Sequence, residues 1–418
     1  MGRLIKFIDL FAGMGGTRLG LEQAANKLGI NAKCVFTSEI KSYALTTYNS
    51  FFKENNDVVD ITKVNSADIP DFDILLGGFP CQAFSDAGKR RGFEDARGTL
   101  FFEIARILKD KRPSAFILEN VEGLVSHDNG KTLDVILNIL GQLGYNVDYR
   151  ILNSKHFSTA QSRRRIYIVG AINKKICLNF KKEKPIYFKD IQENNLSTIN
   201  NDLTKKILKY YKPQELYGKA LKDKRGGKNN IHSWDIALKG EVSKEQKEIL
   251  NKIVTERRKK SWAETIGIDW MDGMPLTAKQ IATFHSSKNL TDNLNDLCKK
   301  GYLKLEHPKK KEGNARVFDT QKPKGYNIVA GKLSYSFSMF LNPCDTTPTL
   351  VATDLDKIGV IDKGGIRKIS LTEGLRLFGY PDNYPLQKIK EKEAYDLLGN
   401  TICVNVIEKI AKNILSVI

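Results

Sequence analysis

No pair of cysteines in the 418 residues approaches a CxxC spacing. The six, at positions 34, 81, 177, 298, 344 and 403, lie far apart, and the five histidines form no cluster with them. That argues against a zinc site and a disulfide framework and suits a reducing cytoplasm. Nor does any stretch approach the roughly 20 apolar residues that span a bilayer. The opening MGRLIKFIDLFAG has a short apolar run and no small-residue cleavage pattern, so neither export nor a membrane partner is expected. No internal repeat is detectable, and no glycine loop carries the lysine of a triphosphate site.

Acidic residues are also in short supply. Lysine plus arginine outnumber aspartate plus glutamate 67 to 48, a net +19, and residues 181–330 hold 32 basic and 19 acidic side chains, so +13 of the excess lies there. Two explanations fit the charge alone. One is a polyphosphate partner, bound with steep salt dependence through counterion release; the other is a solvated lysine-rich surface in a chain rich in Asn, Ile and Lys. Apolar residues are plentiful at 41%, enough to furnish the core of one large domain or two unequal ones.

The chain has two textures. Residues 5–172 alternate short β-rich runs (KFIDLF, AKCVFTSE, FDILLGG, SAFILENV, YNVDYRIL, RRIYIVGAI) with helical stretches. That alternation predicts an α/β fold, a mainly parallel sheet with helices on both faces, over residues 1–184. The pattern weakens across 185–364, which reads as a separate, smaller domain. From 365 onward, RKISLTEGLRLFGYPD predicts a helix stopped by glycine, and NTICVNVIEKIAKNILSVI predicts a last helix that returns to the first domain.

Chemistry-bearing residues cluster at the predicted strand ends. In GGFPCQAFSDAGKRRG, Cys81 follows a buried-looking strand and proline, where structural cysteines are uncommon. FIDLFAGMGG runs from a strand into a glycine turn that lets backbone approach a ligand, or that serves geometry alone. Glu39 lies 23 residues beyond Gly16, suited to ribose hydroxyls or, equally, to an N-cap. Together with Asp60, it favours an uncharged nucleoside over a triphosphate. Glu119 ends FILENV, and Gln161, Arg163 and Arg165 alternate onto one strand face. A buried carboxylate beside guanidiniums is costly unless used, with a structural salt bridge as the alternative. A thiol, an acid and two arginines suit attack on an electron-poor ring.

These residues carry a resemblance. FAGMGG, Glu39, Asp60, GGFPCQAFS, ENVEG, QSRRR and GNTICVNVI stand in the order found in DNA cytosine-5 methyltransferases of the bacterial type II restriction-modification kind, with ENV 38 residues after Pro-Cys and the arginine motif 44 beyond. The likeness spans nearly the whole chain except the middle. It implies a Rossmann-like, S-adenosylmethionine-dependent catalytic domain and a smaller target-recognition domain. S-adenosylhomocysteine would be the product, with no metal required.

By the same resemblance, Cys81 adds to C6 of a flipped-out cytosine so that C5 becomes enamine-like. Glu119 contacts N3 and the exocyclic amine, Arg165 polarises O2, and Arg163 orients Glu119 and favours the thiolate. Phe11, Gly13, Met14 and Gly16 would surround the methionine and adenine parts of the cofactor, Glu39 the ribose, and Asp60 with Ile61 the adenine, with Pro80, Leu100 and Asn400 completing the pocket. Some relatives carry an aromatic residue after the glutamate, where Lys41 lies nearby instead, a departure bearing on one wall of that pocket. The loop 82–98 suits a lid whose Ser85, Lys89, Arg90, Arg91 and Arg97 reach phosphates, or is a plain surface loop.

Double-stranded DNA is the expected partner of a monomeric, cytoplasmic, nucleoid-associated enzyme; whether a cognate endonuclease exists is left open by the sequence, and one that does would form no stable complex with it. TTPTLVATD resembles the family's Thr-Leu element and places Thr349 and Leu350 near the neighbours of the flipped base. In KDKRGGKNNIHSWD, Arg225 can pair with guanine and Asn229 or Asn230 with adenine, although such loops also serve as phosphate contacts or solvated turns. A tRNA cytosine-5 methyltransferase of the same architecture is the alternative, but the CFT tripeptide of those relatives is absent. A non-catalytic DNA-binding module leaves the catalytic set unused, and a dinucleotide oxidoreductase leaves Pro-Cys and the arginines idle.

Overall fold

The computed structural model describes residues 4–80, 100–313, 315–329 and 335–418. Two compact units emerge, one formed by Met1–Glu193, Asn342–Asp356 and Ile369–Ile418, the other by Asn194–Leu341 and Lys357–Lys368.

In the first unit, strands β1 (Leu4–Leu10), β2 (Asn31–Ser38), β3 (Ile74–Gly78), β4 (Ala115–Val121), β5 (Asn146–Asn153) and β6 (Arg164–Ala171) alternate with helices α1 (Gly16–Lys27), α2 (Ser42–Phe52), α3 (Leu100–Lys111) and α4 (Lys131–Gln142). They form one sheet in the order β2-β1-β3-β4-β6-β5. β1 pairs parallel with β2 and β3, and β3 with β4, whereas β6 runs antiparallel to both β4 and β5. Successive side chains on a strand face opposite ways. Phe116 and Leu118 of β4 accordingly join one core with Phe101, Ile104 and Leu108 of α3 and Ile136 and Leu140 of α4.

The second unit holds α5 (Asp202–Tyr210), β7 (Ala220–Leu221), β8 (Asn230–Ile231), α6 (Lys244–Glu256), α7 (Ser261–Ile266), α8 (Ala278–Ala282), α9 (Leu290–Lys299), β9 (Leu303–Glu306), β10 (Lys309–Glu312), β11 (Ala315–Phe318), β12 (Gly325–Ile328), β13 (Met339–Phe340), β14 (Ile358–Asp362) and β15 (Gly365–Lys368). Its main sheet runs β15-β14-β13-β7-β8, and one core gathers Trp234, Ile249, Ile253, Leu294 and Tyr302. The 222–235 loop is tied to itself. Asn230 donates to the Arg225 carbonyl at 2.8 Å, Ser233 N–H to Asp223 at 2.8 Å, and the His232 ring stacks on Trp234 at 4.5 Å.

The chain then returns to the first unit through α10 (Leu371–Phe378), α11 (Glu391–Asn400) and α12 (Val404–Leu415). Ser370 caps α10 in a capping box with Glu373, and Gly379 at φ +78° ends it, as the glycine signal predicts. α12 packs on α1 and β4, on the sheet face opposite α3 and α4. The approach to α1 is close because Gly20 has no side chain: a Cβ there would lie 2.6 Å from Ile407. Lys27 pairs with Glu408 at 2.8 Å along the same seam.

The unit boundaries differ from the sequence expectation at 184/185 and 364/365. Residues 342–356 cluster with the first unit because Thr347 bridges to Gln161, its N–H donating to Ala160 O at 2.7 Å while Ser162 N–H donates to its carbonyl at 2.8 Å. Residues 185–193 stay there too, through Phe188 N–H to Asp345 O at 3.0 Å and Lys189 N–H to Pro343 O at 2.8 Å. β15 remains in the second unit, paired with β14.

Behind the glycine turn lies a buried polar network. Asp9 accepts from Thr17 Oγ1 at 2.7 Å and Tyr48 Oη at 3.4 Å, while Arg18 donates to Tyr48 Oη at 3.1 Å and pairs with Glu54 at 2.8 Å and Glu22 at 2.7 Å. Burial pushes Asp9 up to about 7, outweighing the opposing pull of Thr17 and Arg18. Its protonated form is favoured in the folded chain, so that stabilisation is full below the ordinary carboxylate value and is lost as pH rises through about 7. Asp9→Asn should therefore flatten the stability profile and raise stability near pH 8 by about 2 to 4 kcal/mol relative to wild type. Thermal unfolding of both proteins across that range checks this, and parallel profiles would refute it.

Candidate active site

Because β6 runs backward, its first residues meet the carboxyl ends of β1 to β4 at one sheet edge. There a cavity of 570 Å³ opens, within the usual range for small-molecule sites. Phe11, Gly13, Met14, Gly16, Glu39, Asp60, Ile61, Pro80, Leu100, Glu119, Arg163, Arg165 and Asn400 all line it. Cys81, Ser85, Lys89, Arg90, Arg91 and Arg97 lie outside the described residues.

The turn after β1 is shaped by backbone conformations that few side chains tolerate. Gly13 and Gly15 have φ +52° and +72°, and Phe11 itself sits at φ +56°, which costs a non-glycine residue about 1 kcal/mol or more. Tyr384 Oη pins the turn from beneath by donating to Met14 O at 2.8 Å. Glu39 receives three backbone N–H groups, Gly13 at 2.8 Å on Oε2 and Ile40 and Lys41 at 2.9 and 2.8 Å on Oε1. A carboxylate has about four acceptor sites, so one on Oε2 remains for a ligand hydroxyl. Asp60 caps the turn at Ile61 through Thr62 N–H at 3.1 Å and Thr62 Oγ1 at 2.8 Å, both on Oδ1. These bonds hold it below the usual carboxylate range. Its Oδ2 lies 3.9 Å from Lys63 Nζ. Two acceptors, a glycine turn and apolar walls fit a nucleoside bearing a short polar tail.

At the other end, Glu119 pairs with Arg165, Oε1 to Nε at 3.1 Å, each side chain keeping 14% exposure. Burial pushes Glu119 above the usual carboxylate range against the pull of Arg165 and then Arg163. Arg163 does not bond Glu119, contrary to the orienting role read from the sequence. Its guanidinium donates to the carbonyls of Leu350, Gly399 and Thr401 at 2.9, 3.2 and 3.0 Å. Burial, then Arg165, pushes Arg163 down to about 10, so it stays charged at neutral pH. Gln161 is fully buried before β6 begins and does not line the cavity.

In the Thr-Leu element, Leu350 departs from expectation whereas Thr349 does not. Thr349 is exposed, its hydroxyl donating to Ser162 O at 2.9 Å. Leu350 is buried at 2% exposure and offers Arg163 its carbonyl, which removes its side chain from a DNA-facing surface. Sequence reasoning missed Asn120, buried, whose amide donates to Phe79 O at 3.0 Å, two residues before Cys81. Its place inside ENV was the available signal.

A sheet in which β6 alone runs backward, with a nucleoside-sized cavity at the carboxyl ends of the parallel strands, defines the S-adenosylmethionine-dependent methyltransferase class. The fold of the Entamoeba histolytica methyltransferase EhMeth is similar, with a TM-score of 0.52 at 16% identity, covering 99% of this chain and 98% of that one. The family model for C-5 cytosine-specific DNA methylases matches residues 5–416. The type II methyltransferase M.NlaIV of Neisseria lactamica is 55% identical, over 98% of this chain and 99% of the relative. M.BanI of Aneurinibacillus aneurinilyticus, also a type II methyltransferase, is 40% identical over 98% and 95%. The chain belongs to the C-5 cytosine-specific DNA methylase family, and its activity is that of a DNA cytosine-5 methyltransferase.

Proposed function

We propose that the cavity binds S-adenosylmethionine and that the chain methylates a flipped-out cytosine within a specific duplex sequence, protecting host DNA in a restriction-modification system. The observation that carries this reading is the Glu119–Arg165 pair, opening into the same cavity as the glycine turn and Glu39. The cofactor supplies a methyl group on a sulfonium, which cytosine C5 is too weak a nucleophile to take unaided. Cys81 thiolate adds at C6 and makes C5 enamine-like. Glu119, protonated, donates at N3, and Arg165 holds O2. After transfer C5 loses its proton and the Cys81–C6 bond breaks. Rotating the base out of the stack costs a few kcal/mol, and Ser85 and Arg97 would contact the phosphates of the opened duplex.

Gly13, Met14, Gly16 and Phe11 would cradle the methionine and adenine parts, Glu39 the ribose, and Asp60 with Ile61 the adenine. Arg163 acts through the wall it ties together. The second unit reads sequence, with Arg225 and Asn229 in the 222–235 loop, since the Asn230 amide is already committed within the loop. Thr349 is the remaining contact proposed for the first unit.

The test is to incubate unmodified genomic DNA and, separately, tRNA with enzyme and S-adenosylmethionine, then map 5-methylcytosine by bisulfite conversion. A single recurrent DNA motif is expected; methylation confined to tRNA would overturn the reading. With residues 222–235 replaced, the methylated motif should change while cofactor affinity stays within about twofold. An unaltered map would remove that loop from the reading surface.

A further inference from the structure

Glu39 is the start of a hydrogen-bonded chain that links residues lining the cavity. It holds Gly13 N–H on one oxygen and Lys41 N–H, at 2.8 Å, on the other. The Lys41 side chain carries the chain onward, its Nζ 2.7 Å from Asp396 Oδ2. Tyr43 Oη donates to that same oxygen at 2.7 Å. Asp396 Oδ1 accepts from Asn400 Nδ2 at 3.1 Å, and the Asp396 carbonyl takes the same amide at 3.0 Å. Gly13, Glu39, Lys41 and Asn400 line the cavity, whereas Asp396 stands behind its rim.

One carboxylate thus joins the wall that follows β2 to the end of α11, segments 355 residues apart in sequence. Lys41 and Asp396 keep 39% and 33% side-chain exposure, and a half-exposed pair contributes little to folding. α11 has deeper anchors: Tyr395 Oη donates to Ile369 O at 2.7 Å, Tyr380 Oη lies 2.7 Å from Thr401 Oγ1, and Arg163 holds the carbonyls of Gly399 and Thr401. Three donors converging on Asp396 therefore do more for the rim than for the fold.

We propose that Asp396 is a positioning residue for the cofactor, a clasp that fixes Lys41 and Asn400 across the cavity mouth and slows escape of the bound nucleoside. This rests on the reading of the cavity as the cofactor site. Binding is measured with S-adenosylhomocysteine, which permits no turnover, by calorimetry and by stopped-flow dissociation. Asp396→Ala should weaken it about tenfold, mostly through faster dissociation, while the KM for S-adenosylmethionine rises by a similar factor and kcat falls by less. Lys41→Asp and Asp396→Lys should each weaken binding, and the double reversal should recover most of the loss.

Unchanged dissociation in Asp396→Ala, or single losses that the reversed pair does not recover, overturns the clasp. If wild type itself fails to bind S-adenosylhomocysteine, the cavity reading falls instead.

Discussion

Replacing Cys81 with serine is expected to abolish methyl transfer, with turnover falling by at least about 10⁴-fold and duplex binding staying within about threefold of wild type. A serine hydroxyl lacks both the acidity and the nucleophilicity of a thiol, so the C6 adduct does not form and C5 stays inert toward the sulfonium. No other thiol can substitute. Among the described residues no cysteine lines the cavity, and burial pushes Cys34 up to about 11 and raises Cys403 as well. Duplex containing 5-fluorocytosine offers the direct readout, because the missing C5 proton traps the adduct. Wild type should yield a denaturation-resistant protein–DNA band that mass spectrometry assigns to Cys81, and the variant none. A band of equal intensity from Cys81→Ser would remove Cys81 from the mechanism.

Glu119→Gln should slow the chemical step by about 10²- to 10³-fold while sparing cofactor binding. Glu119 stands in register with Gly78 of β3 and Tyr167 of β6, and burial lets its carboxyl keep its proton to a higher pH than a free carboxylic acid does. On the proposed reading the protonated form donates at N3, so wild-type kcat/KM should fall as pH rises through that elevated value. Glutamine can donate a hydrogen bond but not a proton, so its residual rate should lack this alkaline limb. Single-turnover rates from about pH 6 to 9 decide the matter. A variant within tenfold of wild type, with the same profile, would mean that the pair with Arg165 is structural.

The strand ends were legible because each combines an apolar run with glycine or a charged residue that a core does not want. β6's direction was not, since buried strands read alike whichever way they run. Alternation placed Arg163 and Arg165 on one face, but could not say that Arg165 takes Glu119 while Arg163 takes three carbonyls, because those come from residues 350, 399 and 401. α11 escaped notice, as EKEAYDLLGN concentrates its apolar residues in one turn. Asp396 had no local signal at all; its partners Lys41 and Tyr43 lie on α2 and its approach, far away in sequence. The unit boundaries moved for a related reason, backbone pairing of Thr347 with Gln161, which hydropathy does not encode.

The seam between α1 and α12 also sets a timetable. A ribosome delivers β1 to β6 long before α10 to α12, yet Gly20 is shaped to receive Ile407, and Gly399 to Ile402 complete the cavity lining, with Ile402 seated against Gly16 of the glycine turn. An unfinished polypeptide halted before residue 369 therefore already carries Cys81 and Glu119 but lacks Gly399 to Ile402 from the cavity lining. On the proposed reading of the cavity, a fragment without residues 369–418 should transfer no methyl group.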